Sequence, residues 1–311
     1  MGKDMQKLVQ VFNQSLETYI EEKDEPIYHY TSPDGLNAII SNSTLRFTDR
    51  NYLNDYTEGR HIMKLCIDND FTDILPDEYM GKFKSLCDEF YNNPLKKKVP
   101  TFQCSFSTCD DLLPMWNYYS KNDGIKGYNV GFASDVLMSN IKTCSYKQDG
   151  SSDNELKISG GRVVYDKDAQ IEIIKKVMND YAAFLTENII DVAFCNLVVD
   201  LLVDKLLFIG SFFKAECFNY EKEYRLLITP RMNPVTQEYY VLEKEPKTVI
   251  KNGLIIPIID LEFRKEVLQS IKVSPTLDYK EAESSLRNAL KTYSYQYDEL
   301  IITSSGIPVR Y

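Results

Sequence analysis

The chain has 311 residues, 43% hydrophobic and 26% charged with no excess of Gly or Pro, which is ordinary for a globular protein and sufficient for one large domain or two smaller ones. Its net charge of −10 excludes a protein that coats nucleic acid by neutralising phosphates, though not one that grips a nucleic-acid substrate locally. Seven cysteines without a CxxC pair, and only two histidines, His29 and His61, point to reduced thiols in a cytoplasmic protein and away from a zinc site.

In chain order, Met5, Leu8, Val9, Phe12, Leu16, Tyr19 and Ile20 recur at three- and four-residue steps, predicting an amphipathic helix over residues 1–24 with no signal-peptide pattern. Residues 27–31 read as a strand, Ser32 or Asp34 caps a helix through Leu36, Ile39 and Ile40, and residues 45–48 form a second strand. A polar loop over 49–55 leads into a helix around 57–67. A further helix over 76–91 turns Tyr79, Phe83, Leu86, Cys87 and Phe90 inward, and Lys96–Lys98 sit in a solvated turn.

Residues 101–107 and 128–132 read as strands, the second paired across a turn containing Gly124 and Gly127, and a short strand covers 163–165. From about 169 to 213 the pattern is helical, as a two-helix hairpin. Its most apolar stretch, 189–213, carries Asp191, Asp200, Asp204 and Lys205, too many charges for hydrocarbon, so it reads as a buried helix and not a membrane span. Strands return at 224–229, 249–258 and 271–273, a helix covers 280–293, and 300–303 closes the sheet. Strands clustered early and late, without a regular βαβ rhythm, indicate an α+β fold.

Three segments carry a family resemblance. The first runs Ile27-Tyr28-His29-Tyr30-Thr31, then a helix ending Ile39-Ile40-Ser41, then a strand opening Leu45-Arg46. The second is Arg50-Asn51-Tyr52-Leu53-Asn54-Asp55, followed by a helix. The third is Tyr220-Glu221-Lys222-Glu223-Tyr224-Arg225-Leu226. Together they resemble the poly(ADP-ribose) polymerase type of ADP-ribosyltransferase. Gln103-Cys104-Ser105-Phe106-Ser107 resembles the Ser-Thr-Ser strand of toxin-type transferases, and Glu221 with Glu223 resembles their Glu-x-Glu, whereas His29 stands where that class has Arg. More broadly, the chain is similar to a bacterial family of unknown function sharing the His-Tyr-Thr start, Leu53-Asn54-Asp55, the Cys-x-Phe-Ser strand, Met115-Trp116, Glu-x-Glu-Tyr-Arg and a closing Ser305-Gly306-Ile307-Pro308-Val309-Arg310.

The resemblance implies a mixed or antiparallel split sheet with flanking helices, one domain over residues 25–311, and a helical insertion at about 167–213. It implies NAD as substrate without a metal, held by His29, Tyr30, Thr31, Tyr52, Ser105 and Ser107. His29 would bond a ribose, Tyr52 would wall the nicotinamide ring, and Glu223 would stabilise the ribosyl cation with Glu221 as general base. That division suits the chemistry, because a fixed carboxylate stabilises a sugar turning cationic without reorganising. A shared strand would turn Glu221 and Glu223 to one face, and Glu223 with Arg225 equally forms a strand ion pair. The implied activity is modification of a macromolecular acceptor, as a bacterial toxin or antiviral defence effector with an antitoxin or sensor partner. An NAD glycohydrolase, a non-catalytic nucleotide- or protein-binding module, and a metal-dependent nuclease using Asp55, Glu58 and Glu223 are the competing readings.

Overall fold

The computed structural model describes residue 20 and residues 24–53, 60–94, 101–120, 125–145, 157–187, 192–228, 231–232, 239–240, 247–251, 253–296 and 300–309. The expected N-terminal helix apart from Ile20 and Asp24, together with Asn54, Asp55, Glu58, Lys96–Lys98, Gly124 and Arg310, lies outside the described residues.

The elements begin with β1 (Pro26–Thr31), α1 (Pro33–Asn42), β2 (Thr44–Asp49), α2 (His61–Asp68), α3 (Asp77–Asn92), β3 (Phe102–Ser107) and α4 (Leu113–Tyr119). They continue with β4 (Tyr128–Ala133), α5 (Ser134–Ser145), β5 (Ile158–Arg162), α6 (Lys167–Glu187), α7 (Val192–Ile209) and β6 (Glu223–Ile228). A two-residue pair, β7 (Arg231–Met232) and β8 (Tyr239–Tyr240), precedes β9 (Lys247–Lys251), β10 (Leu254–Glu262), β11 (Ser270–Val273), α8 (Tyr279–Thr292) and β12 (Ile301–Ser304). The class is α+β, with a mixed, open sheet and flanking helices.

The chain divides into two compact units. The helical unit takes Arg50–Lys98 and Gly161–Asn219 with the start of the chain, and the sheet unit takes Lys23–Asp49, Val99–Gly160 and Tyr220–Tyr311. The helical stretch expected at about 167–213 falls in the first, as α6 and α7 packed together. Within that unit the Arg50 guanidinium is buried and donates to the Leu207 carbonyl at 3.0 Å and to Ser211 Oγ at 2.5 Å. His61 Nε2 meets Gln170 Oε1 at 2.9 Å, and the Gln170 amide donates to the Val164 and Lys214 carbonyls. These are polar groups satisfied inside a helical core.

In the sheet unit the strand order is β12-β11-β4-β1-β3-β2-β10-β9, antiparallel throughout except for β11 with β12. β6 runs along all of β3, from Phe102↔Ile228 to Ser107↔Glu223, and itself pairs with β5, of which residues 158–160 belong to this unit. Because β6 occupies one whole edge of β3, β1 and β2 divide the other: Tyr28 pairs with Ser107 at one end, and Thr48 and Asp49 with Gln103 and Phe102 at the other.

Local signals explain most elements. Ser32 caps α1 by accepting from the Gly35 amide at 3.1 Å, with Pro33 at the first helical position, and Asp278 caps α8 by accepting from the Glu281 amide at 3.0 Å. Several boundaries differ from expectation. The strand over 249–258 is a hairpin, β9 and β10, with Gly253 before β10 at φ +80. β4 pairs with β1 and β11 and not with β3, so no β3–β4 hairpin forms. The strand expected at 163–165 lies earlier, at β5, leaving a single bridge between Val164 and Phe213. α4 and α5 are not among the elements that periodicity predicts. α4 has only seven residues, too few for a helical pattern to repeat.

No helix among the described residues is long and apolar enough to cross a membrane. Cys66, Cys87 and Cys104 are buried free thiols, and burial pushes the Cys104 thiol up.

Candidate functional site

Residues directly opposite one another in an antiparallel pair send their side chains to the same face, and alternate residues go to opposite faces. From Ser107↔Glu223, Ser105↔Arg225 and Gln103↔Leu227, one face of β3 and β6 carries the polar Gln103, Ser105, Ser107, Glu223 and Arg225 together with Leu227. The reverse face carries Phe102, Cys104, Phe106, Tyr224, Leu226 and Ile228, all within the main apolar core. Tyr28↔Ser107 and Gly131↔Tyr28 extend the polar face to β1 and β4, and Ser270↔Gly131 carries it to β11. Ser270, Gly131, Tyr28, Ser107 and Glu223 therefore form one row across five strands.

Glu223 opens β6 and is buried. Arg225, two residues on and 1% exposed, grips it with both arms, Nε to Oε1 at 2.9 Å and Nη2 to Oε2 at 2.8 Å. This fork-to-fork pair fixes the carboxylate's rotamer and occupies both its oxygens. Glu221 is also buried, but it ends a short 3₁₀ turn, Glu216–Glu221, and Lys222 follows at φ +47, in the left-handed region. The strand starts only at Glu223, so the two-residue alternation expected to align the two carboxylates does not reach Glu221. The Glu221 carbonyl accepts from Ser107 Oγ at 2.8 Å, and that hydroxyl accepts in turn from the Cys109 amide at 3.2 Å. The Ser105 hydroxyl accepts from Gln103 Nε2 at 3.0 Å.

His29 stands beside Tyr28 on β1, so the register sends it to the face opposite Glu223. Its half-buried ring meets Phe106 edge-on at 5.5 Å. Its Nδ1 lies 2.9 Å from the Ser105 carbonyl, between the two ends of β3 that β1 and β2 take. A carbonyl only accepts, so Nδ1 carries the proton and Nε2 is left as an acceptor in the neutral ring. Burial lowers the imidazole's pKa and favours that neutral form, against a smaller opposing effect of the Ser105 bond.

Thr31 is buried on the His29 face at the end of β1. An ideal Cβ on Gly35 would come within 2.0 Å of its hydroxyl, so only glycine fits there. Tyr30 faces the polar side and is tied down. Its hydroxyl donates to the Cys109 carbonyl at 2.9 Å and accepts from the Leu112 amide at 3.0 Å, its ring packs edge-on against Trp116 at 4.7 Å, and burial raises its phenol far above the ordinary value. Tyr52 closes the short turn Arg50–Tyr52 and belongs to the helical unit. The sheet unit thus gathers His29, Tyr30, Thr31, Ser105, Ser107, Glu221 and Glu223 on three adjacent strands and the turn before β6, and does not include Tyr52.

Two further groups belong to this face. Asn129, opposite Tyr30, donates to the Asp110 carbonyl at 2.8 Å, while its Oδ1 is buried without a partner among the described residues. Asp111 accepts from Trp116 Nε1 at 2.8 Å, from Ser305 Oγ at 2.7 Å and from the Gly306 amide at 2.7 Å. That hub joins the Met-Trp segment to the closing Ser-x-Ile-Pro segment. Residues nearly two hundred positions apart share it, and no local spacing in the sequence announces such a contact. No group of three His, Cys, Asp or Glu among the described residues is arranged to hold a metal.

Residues 115–226 match the model of a family described as a protein of unknown function (DUF2971). The match begins at the Met115-Trp116 pair and ends within β6, one residue past Arg225. No curated protein and no solved structure matches the chain.

Proposed function

We propose that the protein is an NAD-cleaving enzyme of the ADP-ribosyltransferase type, transferring ADP-ribose to a macromolecular acceptor. The observation that carries this reading is adjacency. The His-Tyr-Thr, Cys-x-Phe-Ser and Glu-Tyr-Arg segments, far apart in the chain, are the neighbouring strands β1, β3 and β6, with Glu223 the first residue of its strand. The edge of β3 divided between β1 and β2 also suits the split sheet that the resemblance implies. In this reading His29, on the face away from Glu223, positions β3 through the Ser105 carbonyl and does not touch the sugar that Glu223 meets. Glu223 faces the developing ribosyl cation, and for this one carboxylate oxygen must exchange Arg225 for the sugar. A role as toxin or antiviral effector, with an antitoxin or sensor partner, follows from the resemblance alone.

A second reading has its own support: a non-catalytic nucleotide- or protein-binding module. Both Glu223 oxygens are held by Arg225, and the imidazole takes the other face. Nicotinamide release from NAD by the purified chain and by Glu223→Gln separates the two. Transfer or hydrolysis predicts release that falls on the order of 10²–10³-fold in the variant. NAD binding without release selects the binding module, and release unchanged in the variant removes Glu223 from the chemistry.

A further inference from the structure

β9 and the first half of β10 run past the rest of the sheet. β10 pairs with β2 only from Ile258 onward, while Leu254–Ile258 pair with Lys247–Lys251. Residues 247–251 and 254–257 are thus a two-stranded arm, with no strand on the outer side of β9 among the described residues. Residues directly opposite share a side, so Thr248, Ile250, Ile255 and Pro257 lie on one face and Lys247, Val249, Lys251 and Ile256 on the other.

The two faces differ sharply in cover. Ile256 is 2% exposed, whereas Ile250 is 79% and Ile255 70% exposed. Further along β10 on the side of Ile255, Ile259 and Leu261 are buried in the main core, so one apolar face passes from covered to bare as it enters the arm. A two-stranded ribbon is at best marginally stable by itself, and adjoining large apolar side chains left in water mark a contact surface. Lysines on an edge strand discourage the addition of a further strand. β9 has them at both ends, Lys247 and Lys251, and the bare face carries no such guard.

From this geometry we propose that the face carrying Thr248, Ile250, Ile255 and Pro257 is where two copies of this chain meet, face to face across a two-fold axis. Charge selects this occupant. At a net charge of −10 the chain is repelled by an anionic lipid surface, and most of its own surface repels a second copy. The bare face has no charged residue, so it meets its own copy without like-charge opposition, as a two-fold contact between identical patches requires. β9 adds two lysines and no acid, with the Lys247 side chain 73% exposed, so the rim of the contact attracts the acidic surface of the other copy. A standard interface buries about 800 Å² on each partner, and these few side chains offer less. The dimer is therefore weak and depends on concentration.

The test is sedimentation velocity of the full chain over a concentration series, which should show a reversible monomer–dimer equilibrium. Ile250→Asp combined with Ile255→Asp should weaken that equilibrium by at least about tenfold, because carboxylates would then face carboxylates across the axis. Both side chains are exposed in the single chain, so the dilute variant should unfold at the same temperature as the parent. Should the variant fold poorly, the methyl resonances of Ile250 and Ile255 give a separate readout on the unmodified chain: they should shift with concentration while that of buried Ile256 does not. A chain that stays monomeric with constant methyl shifts, or a dimer indifferent to the double variant, overturns the proposal. Retention of a monomeric chain on neutral phosphatidylcholine vesicles, lost in the double variant, assigns the face to lipid and overturns it as well.

Discussion

The two faces of β3 and β6 share one backbone ladder and differ in nearly every side chain. One face meets the core with Phe102, Cys104, Phe106, Tyr224, Leu226 and Ile228. The other carries Gln103, Ser105, Ser107, Glu223 and Arg225 beside one apolar residue, Leu227, and all but Ser105 are buried as well. The first is stabilised by the hydrophobic effect and close packing, which ask only for shape. The second consists of groups that cost free energy to bury unless each finds a partner. The Glu223–Arg225 fork and the Ser107 bridge are those partners. A strand pair that merely had to be covered would do so more cheaply with apolar side chains, because a buried ion pair is seldom a net gain over a well-packed apolar one. Polar residues concentrated on one face therefore locate the surface where chemistry or recognition is to be sought.

The contrast makes testable statements about each face. Arg225→Met should have the largest effect, about 3–5 kcal/mol of stability lost in denaturant unfolding, because it removes the two-pronged cationic partner of the buried Glu223 carboxylate. Adding Glu223→Leu should recover much of that loss, and a double variant no more stable than the single would show that the pair is not the unit being broken. Phe106→Ala on the apolar face should also cost about 3–5 kcal/mol, through cavity and transfer terms. Unlike the Arg225 change, no second deletion should rescue it. Ser107→Ala should cost about 1–3 kcal/mol by leaving the Glu221 carbonyl without its 2.8 Å donor, and should loosen the turn that carries Tyr220. A neutral result would mean that water replaces the hydroxyl.

The smallest effect concerns His29. Its folded pKa lies below the ordinary 6.5, so its contribution to stability is full above that value and is lost as pH falls from there toward the folded pKa. His29→Asn keeps a donor for the Ser105 carbonyl and cannot titrate. The acid-side slope of stability should flatten by at most about 1.4 kcal/mol per pH unit. An unchanged slope would assign acid sensitivity to other groups.

Part of this was legible in the residues. The alternation in the Cys-x-Phe-Ser and Glu-Tyr-Arg segments fixes which residues share a face once each is a strand, and the Glu223-x-Arg225 spacing makes the ion pair foreseeable. Ser32 and Asp278 announce their helices by capping chemistry, whereas the run over 249–258 reads as one strand and folds as the β9–β10 hairpin. The expected alignment of Glu221 with Glu223 fails for a local reason, the left-handed Lys222 that separates turn from strand.

Sequence by itself determined the α+β class, most of the element positions and the alternation within each strand, because these depend on interactions among near neighbours. It could not decide which strand edges meet, and edge choice settles the site. β4 joins β1 and not β3, β1 and β2 share one edge of β3, and the single pairing of Tyr28 with Ser107 puts His29 on the face away from Glu223. Nor could it foresee Asp111 tying Trp116 to Ser305 and Gly306, or Tyr118 coming to lie on Tyr220. Long-range register is chosen by how the whole apolar face packs, and a shift of one residue reverses every side chain.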